Sequence, residues 1–504
     1  MSYLFHDLDE SIKKTICDIN DVNPDNLIIK EYNQELNIIN EFKEKILSDK
    51  DKRFFIVGDY DCDGICATSI MKKLLDDLNI KVNYYIPSRN KEGYGLNNEI
   101  VNRAHENNFD CLLCVDNGIV ANEPLTLAKS LGMKTYVIDH HNYETLPEVD
   151  ALLHPDLLPD EYDDLCAAGL CALLSNSFRQ DDLSTALGGL ATLADMVSVF
   201  GYNRYLMNEM MNILNSKNIV SINYLLGRSK LDYDNLSYNV IPKINAVSRL
   251  DNIMNVNYVV RFLLNYDNEA SLYLNKIEAI NKTRKELTKQ MSVLAERLID
   301  TSLNLPVVCS DTFNEGLCGL VANRLMFEYN KPIIVLAKVG DELRGSGRCP
   351  QGFDLFNYLE KIKDHFLTYG GHAQAVGLSL KEDELDYLLN YIKDNPFEIV
   401  NKDKDVLLLN QESINNDLYS KICELKPFGP NFKEPLIGIK NVSYDRDYVF
   451  SFKNHKYVLS DVLEAIDFNN LKPNNDFDTM IGKIKEDDYH SGKLSMIIED
   501  LMWF

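Results

Sequence analysis

Long apolar runs are missing from this chain of 504 residues, and so is any excess of positive charge. No run approaches the roughly 18 apolar residues that a membrane span needs, and the start, MSYLFHDLDESIKK, lacks the basic-then-apolar layout of a secretory signal. The 52 basic residues face 77 acidic ones, giving a formal net charge of −25. This balance argues against a protein that coats nucleic acid through a basic face, but it leaves room for a local basic groove. We expect a cytoplasmic protein with no membrane partner.

Low-complexity tracts, collagen-like repeats and a disordered composition are also lacking. Hydrophobic residues make up 45% of the chain and charged residues 26%, which is typical of globular domains. In such a chain we expect the eleven cysteines to be reduced thiols. The length exceeds what one hydrophobic core accommodates and predicts roughly three domains.

Three aspartates stand at alternate positions in the stretch VGDYDCDGI, directly after a short apolar run. Asp59, Asp61 and Asp63 repel one another, and no basic residue lies between Arg53 and Lys72 to relieve the repulsion. Carboxylates crowded in this way need a counter-charge, and a metal ion is the natural candidate.

Strand-like apolar runs alternate with helical patterns up to about residue 141. This alternation predicts an α/β fold with a parallel sheet and right-handed crossovers. The carboxyl ends of parallel strands line one crevice, where ligands bind. We expect strands at 54–58, 81–87, 111–116 and 135–141, and helices at about 64–78, 97–107 and 122–131.

Acidic and histidine residues follow these strands. Asp116 ends one strand, Asp139, His140 and His141 end another, and Asp195 follows an apolar helix-like run. Alone, each such aspartate is more often a helix cap or turn residue, and a histidine pair is more often structural. Together with the first three aspartates they bring at least five carboxylates and two imidazoles to one edge. This set suits Mn²⁺ or Mg²⁺ better than a structural zinc and is large enough for two ions sharing a bridging carboxylate.

The second half of the chain predicts a long helix, a second domain and a group of short strands. Apolar residues recur at three- and four-residue steps over 268–300, which is typical of one amphipathic helix with ordinary core packing. Beyond about residue 400, short alternating runs predict a small β-barrel. The predicted terminal strands are 406–410, 435–444, 456–468, 479–486 and 493–501. The predicted domains are 1–265, 305–398 and 399–504, with a connecting helix at 266–304.

Four segments resemble the motifs of the DHH phosphoesterase superfamily: DYDCDG at 59–64, VDNG at 115–118, VIDHH at 137–141 and LADMVSV at 193–199. Later segments are similar to its RecJ branch, the single-strand-specific 5′→3′ exonucleases: IPKINAVSRL at 241–250, FNEGLCGLVANRLMFEYNKPIIVLA at 313–337, RGSGRCPQGFDL at 344–355, YGGHAQAVGLSL at 369–380 and LKPFGPNFKEP at 425–435. Ser248 and Phe432 depart from the usual pattern of that branch. The resemblance implies a parallel-sheet DHH domain, a long connecting helix, a smaller α/β DHHA1 domain and a C-terminal OB-like β-barrel.

The resemblance also implies a role for each candidate metal residue. One divalent cation, Mn²⁺ or Mg²⁺, would be held by Asp61 and Asp116 with help from Asp59, and the second by Asp63, Asp116, His140 and Asp195. Asp139 is expected to orient the ligating histidine, and His141 to contact the phosphate. The cations would activate the attacking water, so no protein nucleophile is needed.

The segments RGSGRCPQGFDL and YGGHAQAVGL are expected to form glycine-rich loops. Taken singly, either could be an ordinary tight turn with surface arginines, at about even odds. With the resemblance, they are expected to form the pocket for a 5′-terminal phosphate, which would set the polarity. The implied contacts are Arg89, Arg249, Ser346, Gly347, Arg348, Gly371 and His372. Tyr448, Phe450, Phe452 and Tyr457 are candidates for stacking on bases in the barrel.

The function implied is a metal-dependent 5′→3′ exonuclease that hydrolyses single-stranded DNA in repair and recombination. A monomer is expected, with a helicase or a single-strand-binding protein as candidate partner. Two alternatives stay open: a DHH phosphodiesterase acting on short oligoribonucleotides or nucleotide phosphates, and a non-catalytic DNA-binding subunit of replication or repair. The predicted barrel argues against the first alternative, and the intact set of metal residues argues against the second.

Overall fold

The computed structural model describes residues 2–30, 32, 35–89, 92–266, 269–400, 403–451, 454–468, 471, 477–487, 490 and 492–502. The chain divides into two compact units: the first comprises Met1–Glu31, Met196–Tyr205 and Lys402–Phe504, and the second comprises Tyr32–Asp195 and Leu206–Asn401. In this division the first residues of the chain group with its C-terminal part, and the predicted domain boundaries stay a prediction.

Strands and helices are numbered along the chain. The strands are β1 Tyr3–Asp7, β2 Phe54–Val57, β3 Val82–Tyr85, β4 Cys111–Val115, β5 Lys134–Ile138, β6 Ala151–Leu153, β7 Val307–Ser310, β8 Ile333–Val339, β9 Glu342–Arg348, β10 Thr368–His372, β11 Ala375–Lys381, β12 Lys404–Leu409, β13 Leu436–Lys440, β14 Arg446–Ser451, β15 Asn454–Val458, β16 Leu463–Asp467, β17 Thr479–Glu486 and β18 Leu494–Met502. The α-helices are α1 Ile12–Ile19, α2 Asn37–Ser48, α3 Cys62–Asp77, α4 Asn98–Glu106, α5 Asn122–Ser130, α6 Ala167–Phe178, α7 Asp182–Ala194, α8 Gly201–Ser216, α9 Val220–Leu226, α10 Tyr233–Asn235, α11 Ile241–Arg249, α12 Asn257–Leu264, α13 Ala270–Leu298, α14 Cys318–Tyr329, α15 Leu355–Glu360, α16 Leu385–Asp394 and α17 Asn416–Cys423. A π-helical turn, Leu236–Val240, directly precedes α11.

A parallel sheet in the second unit carries the predicted metal residues. Among the described residues its order is β3-β2-β4-β5-β6, and every neighbouring pair of strands is parallel. Strands β2 and β4 are buried along their whole length, as expected of a parallel sheet covered on both faces. The predicted parallel α/β sheet is therefore confirmed, and its carboxyl edge is where the candidate side chains emerge.

Small residues let the helices beside this sheet approach closely. Helices α6 and α7 pack on each other and on α3. A Cβ on Gly188 would lie 2.7 Å from that of Ala172, and one on Gly189 would lie 2.6 Å from the carbonyl oxygen of Leu206. This close packing fixes the C-terminal end of α7, which carries Asp195.

The second sheet of this unit is mixed. Its order over the described residues is β10-β11-β9-β8-β7, with β7 and β8 parallel and the other pairs antiparallel. Of the segments expected to be glycine-rich loops, 344–348 lie in β9, 369–372 in β10 and 375–378 in β11. The prediction was wrong for these residues, while 349–354 do form a connection between elements. Glycine serves packing here, because a Cβ on Gly345 would lie 1.9 Å from the carbonyl oxygen of Val335 and one on Gly347 would lie 2.7 Å from Cδ2 of Leu355.

Helix α13 confirms the long helix predicted at 268–300. Apolar side chains such as Ile277 and Ile280 are buried toward its start, and Met291 and Ala295 toward its end. Of the described helices, none combines the length and the apolar character of a membrane span. All eleven cysteines are free, as expected of reduced thiols.

The first unit contains a sheet that the described residues build from eight strands in the order β1-β12-β13-β17-β18-β16-β15-β14. Strand β1 pairs in parallel with β12, a pairing that the sequence did not predict. The single strand predicted at 456–468 is the antiparallel hairpin of β15 and β16. No pairing between described residues joins β1 to β14, and the OB-like barrel stays a prediction.

One of the four aromatic residues considered for base stacking can be placed. Tyr457 is buried in the sheet, with 1% of its surface exposed, and is unavailable to a base. The side chains of Tyr448, Phe450 and Phe452 lie outside the described residues, and their role stays a prediction.

Candidate metal centre

The turn between β2 and α3 gathers the first three aspartates. Asp61 caps α3, and its Oδ1 accepts hydrogen bonds from the backbone N–H groups of Asp63 at 2.9 Å and Gly64 at 3.2 Å. A Cβ on Gly64 would lie 2.5 Å from the carbonyl oxygen of Asp59, so the turn requires glycine there. Burial, and then the charge of Asp61, raise the pKa of Asp59 well above its ordinary value.

Asp63 is fixed by the start of α6. Its Oδ2 accepts a hydrogen bond from the N–H of Ala167 and its Oδ1 one from the N–H of Ala168, both at 2.8 Å. A carboxylate at a helix N-terminus gains from the helix dipole. Burial nevertheless raises the pKa of Asp63, and the neighbouring His140 offsets only part of this rise.

Asp116 combines a left-handed backbone, with φ of 59°, and a buried carboxylate. A non-glycine residue with positive φ is uncommon and is typical of functional positions. The Tyr94 hydroxyl donates to the Asp116 carbonyl oxygen at 2.8 Å, while Oδ1 of the carboxylate is buried without a hydrogen-bond partner. Burial, followed by the charges of Asp63 and Asp61, raises the pKa of Asp116 well above its ordinary value.

His140 points its Nε2 atom at three of the carboxylates. The distances are 3.3 Å to Oδ1 of Asp116, 3.7 Å to Oδ2 of Asp195 and 3.8 Å to Oδ2 of Asp63. Burial lowers the pKa of His140 and favours the neutral imidazole, the form that binds metals. Burial, and then the charges of Asp63 and Asp61, raise the pKa of Asp195 to about 8.

Asp139 contacts a different histidine ring from the one expected. Its Oδ1 lies 2.8 Å from Nδ1 of His141 and accepts the backbone N–H of His140 at 2.8 Å, and its Oδ2 accepts the N–H of Ile119 at 2.9 Å. Burial opposes ionisation, but the bond to His141 keeps the pKa of Asp139 low. Burial likewise opposes a charged His141, yet Asp139 raises its pKa to about 9. Asp139 therefore orients the ring of His141 and reaches His140 through the backbone.

These groups form overlapping sets that could each hold a cation. Within each set the ligand atoms lie no more than 4.8 Å from one another, and the sets are Asp59, Asp61 and Asp116; Asp63, His140 and Asp195; and Asp116, His140 and His141. The buried Oδ1 atoms of Asp59 and Asp116 have no hydrogen-bond partner, and crowding raises the carboxyl pKa values. Oxygen donors with one or two imidazoles fit Mn²⁺ or Mg²⁺. Asp116 occurs in two sets, which fits a bridging carboxylate.

An arginine cluster lies in the same unit. The side chain of Arg249 donates from Nη1 to the carbonyl oxygen of Gly316 at 3.3 Å. Burial, and then the positive charges of Arg89, Arg348 and Arg284, lower the pKa of Arg249 to about 9. None of these four guanidinium groups has a carboxylate of a described residue within ion-pair distance. Such a cluster attracts an anion.

The sequence reasoning missed Arg284. It lies in the middle of α13, where the buried face turns polar between its apolar ends, and Asn281 accepts a hydrogen bond from its Nε at 3.1 Å. A basic residue between the two apolar stretches of the helix was the available signal. Arg284 therefore extends the positive potential around Arg249.

The second sheet brings Ser346, Arg348 and His372 to one face. Ala375 is the neighbour of Arg348 on one side and of His372 on the other, so the two side chains share that face. Partial burial and the charge of Arg348 lower the pKa of His372. Gly347 faces the core instead, and Gly371, with φ of 138°, shapes the β10–β11 hairpin.

The start of α14 lies against this face. A Cβ on Gly319 would lie 3.0 Å from Nη2 of Arg348 and 3.3 Å from Oγ of Ser346. Gly319 therefore leaves the room that both side chains need, and the sequence reasoning did not single it out. The cluster of small residues at the start of that helix was the signal.

The fold and site define the class of protein. Residues 53–195 match the DHH family, N-terminal domain, and residues 290–395 match the DHHA1 domain. The metal-competent carboxylates lie in the first matched region, and Ser346, Arg348 and His372 lie in the second. The chain thus carries a DHH-family N-terminal domain followed by a DHHA1 domain.

Its relatives narrow the family. The single-stranded-DNA-specific exonuclease RecJ of Escherichia coli (strain K12) is 30% identical over 433 residues, which cover 76% of this chain and 74% of the relative. The protein of the same name from Bacillus subtilis (strain 168) is 29% identical over 413 residues, covering 77% of this chain and 52% of the relative. The chain thus spans about half the length of that second relative. It belongs to the RecJ family.

Solved structures show the same fold. RecJ from Thermus thermophilus in complex with Mn²⁺ superimposes with a TM-score of 0.84 at 21% identity, covering 99% of this chain and 79% of that one. An exonuclease RecJ bound to manganese gives a TM-score of 0.63 at 26% identity, covering 72% of this chain and 96% of that one.

Proposed function

We propose that this protein is a metal-dependent 5′→3′ exonuclease that hydrolyses single-stranded DNA to nucleotides in DNA repair and recombination. One observation carries the proposal: two features occur in the same compact unit. They are a carboxylate–imidazole centre suited to two cations, and an arginine cluster without carboxylate partners among the described residues. A phosphodiester substrate needs both features. The names of the E. coli and B. subtilis relatives support single-stranded DNA as the substrate.

The residues that would hold Mn²⁺ or Mg²⁺ are Asp59, Asp61, Asp63, Asp116, His140 and Asp195. Bound cations supply positive charge and lower the pKa of water, so hydrolysis needs no protein nucleophile. The helix α6 N–H groups hold Asp63 in one orientation. Asp139 orients His141, whose half-exposed ring also contacts the Tyr94 hydroxyl at 3.2 Å, and we assign this ring to a phosphate oxygen.

Polarity follows from the anion site. Arg89, Arg249 and Arg348, with Ser346 and His372, would bind the 5′-terminal phosphate, which carries more negative charge than an internal phosphodiester. Gly347 and Gly371 would act through the strand geometry they permit. An enzyme that anchors a 5′ end at a set distance from its cations removes nucleotides only from that end.

Single-stranded DNA is the proposed partner, and the protein acts as a monomer in the cytoplasm, where its substrate is found. A helicase that unwinds duplexes, or a single-strand-binding protein, would supply accessible strands. Both partners are proposed because the substrate must be single-stranded before its 5′ end can enter the site.

The test is digestion of end-labelled oligonucleotides by the purified full chain. Single strands with a 5′-phosphate, the same strands with a 5′-hydroxyl, blunt duplexes and a dinucleotide are incubated with Mn²⁺, Mg²⁺ or EDTA. We expect mononucleotides released from 5′ ends of single strands, and no cleavage in EDTA. Hydrolysis of the dinucleotide alone would favour an oligoribonucleotide phosphodiesterase, and binding without cleavage would favour a non-catalytic subunit.

A further inference from the structure

The side chain of Arg89 rests on an aromatic ring. Its guanidinium carbon lies 4.9 Å from the centroid of the Tyr60 ring. Within the described part of the chain, no hydrogen bond or ion pair holds this guanidinium, so its donors are free for an anion. The cation–π contact with Tyr60 therefore helps to restrain Arg89.

Tyr60 lies between two candidate metal ligands. Asp59 and Asp61 flank it in the turn after β2, and Arg89 follows β3, the strand that pairs with β2. The Tyr60 ring also meets the ring of Tyr94 edge-on, with centroids 6.3 Å apart. One side chain thus connects the turn of the metal centre with a member of the arginine cluster.

We propose that Tyr60 is a positioning residue that sets the location of Arg89 relative to the metal centre, and so determines how strongly the enzyme prefers a 5′-phosphorylated strand. This inference rests on the proposed function. The anionic ligand is the terminal phosphate of a single strand, and Tyr60 acts on it through Arg89 without touching it.

The effect should be confined to the phosphorylated end. Without the aromatic face, Arg89 samples many rotamers and loses entropy when it binds the phosphate. A cation–π contact supports a change of about threefold to thirtyfold in the ratio of kcat/KM between 5′-phosphate and 5′-hydroxyl strands. The hydroxyl group of Tyr60 takes no part in this contact, so phenylalanine should serve equally well.

The experiment compares Tyr60→Leu and Tyr60→Phe with the wild type on two strands that differ only at the 5′ end. We expect Tyr60→Leu to lower the ratio of kcat/KM for phosphate over hydroxyl by about threefold to thirtyfold, and Tyr60→Phe to keep it. In an Arg89→Gln background, Tyr60→Leu should lower the ratio no further, because the two residues act as one unit. Where Tyr60→Leu does not fold, Tyr60→Met takes its place.

The rise in melting temperature with Mn²⁺ is measured for each variant, to separate positioning from damage to the metal turn. An unchanged ratio in Tyr60→Leu, or an equal fall on both strands together with a weaker response to Mn²⁺, would overturn the inference. A wild type without preference for phosphorylated ends would instead contradict the proposed 5′-phosphate site itself. The two failures are thus distinguished by the wild-type measurement.

Discussion

Oδ1 of Asp116 and Nε2 of His140 lie 3.3 Å apart, yet the carboxylate oxygen is buried and accepts no hydrogen bond from a described residue. An unsatisfied buried carboxylate oxygen costs free energy unless a cation compensates it. The neighbouring imidazole has a lowered pKa and is a poor source of that charge. The pair has the character of two ligands prepared for a shared cation.

The first prediction concerns catalysis by the shared carboxylate. Asp116→Asn should lower kcat on a 5′-phosphorylated single strand by about a thousandfold or more, because the position common to two ligand sets is lost. Release of labelled nucleotide in Mn²⁺ measures this. Glu106→Gln, at an exposed position with no part in the site, is the matched control and should keep wild-type activity. Wild-type rates in Asp116→Asn would contradict the two-cation arrangement.

The same substitution should stabilise the protein when cations are absent. The folded-state pKa of Asp116 is raised, so its ionisation destabilises the fold as the pH rises through that pKa. In EDTA at neutral pH, Asp116→Asn should therefore unfold at a higher urea concentration than the wild type. With Mn²⁺ at a hundred times its Kd, the wild type should gain about 2.7 kcal/mol and the variant less. Equal gains would place the cations elsewhere.

Local patterns explain why the clustering of the candidate metal residues was predictable and parts of the fold were not. Asp59, Asp116 and His140 follow apolar strands, and parallel strands deliver their ends to one edge whatever the remaining packing. The pairing of Tyr3 with Lys404 joins residues about 400 positions apart and leaves no trace in either segment. Long-range pairing of this kind is decided by tertiary packing.

The structural role of glycine was the hardest feature to predict from the sequence. The stretch around Gly347 has the composition of a phosphate-binding loop, but it forms a strand. Because Gly347 has no side chain, β9 can pack closely against Leu355 and Val376. The sequence also does not tell which histidine ring Asp139 contacts, because His140 and His141 are adjacent and differ only in side-chain direction. Arg284 could be suspected from its place between the two apolar stretches of α13, although the pattern names no partner.

The third prediction concerns Arg348, a member of the arginine cluster. Arg348→Ala should raise KM for 5′-phosphorylated strands about tenfold to a hundredfold, the loss expected for a charge-assisted hydrogen bond. Arg344 provides a matched control, because it lies on the same strand, β9, four residues before Arg348. Unlike Arg348, it forms ion pairs with Glu342 at 2.9 Å and with Glu315 at 3.4 Å. Arg344→Ala should leave KM close to the wild-type value. Similar effects of both substitutions would indicate a general electrostatic contribution.

The fourth prediction concerns the start of α14. Gly319→Ala places a Cβ 3.0 Å from Nη2 of Arg348, and the guanidinium must move. We expect KM for 5′-phosphorylated ends to rise about threefold to tenfold, as for loss of part of a hydrogen bond, with kcat on 5′-hydroxyl ends retained. Asn323→Ala, one turn further along the helix and exposed, controls for changes in helix stability. An unchanged KM would show that Arg348 binds the phosphate from another rotamer.

The last prediction separates binding from stability on the second sheet. Gly377 lies on β11 between Gly370 and Ser346, on the face of Arg348 and His372, and the nearest atom to a Cβ there is 4.0 Å away. Gly377→Val should fit without a clash and stabilise the interior strand β11 by up to about 1 kcal/mol, because valine favours strands and glycine does not. If the single strand passes over this face, the same side chain blocks it, so affinity for a 5′-phosphorylated oligonucleotide should fall while the melting temperature rises.

Gly377→Ala should give a smaller change of the same sign in both measurements, and fluorescence anisotropy with Asp116→Asn as the parent would measure binding without cleavage. Unaltered affinity in Gly377→Val, together with the higher melting temperature, would exclude this face from the path of the DNA.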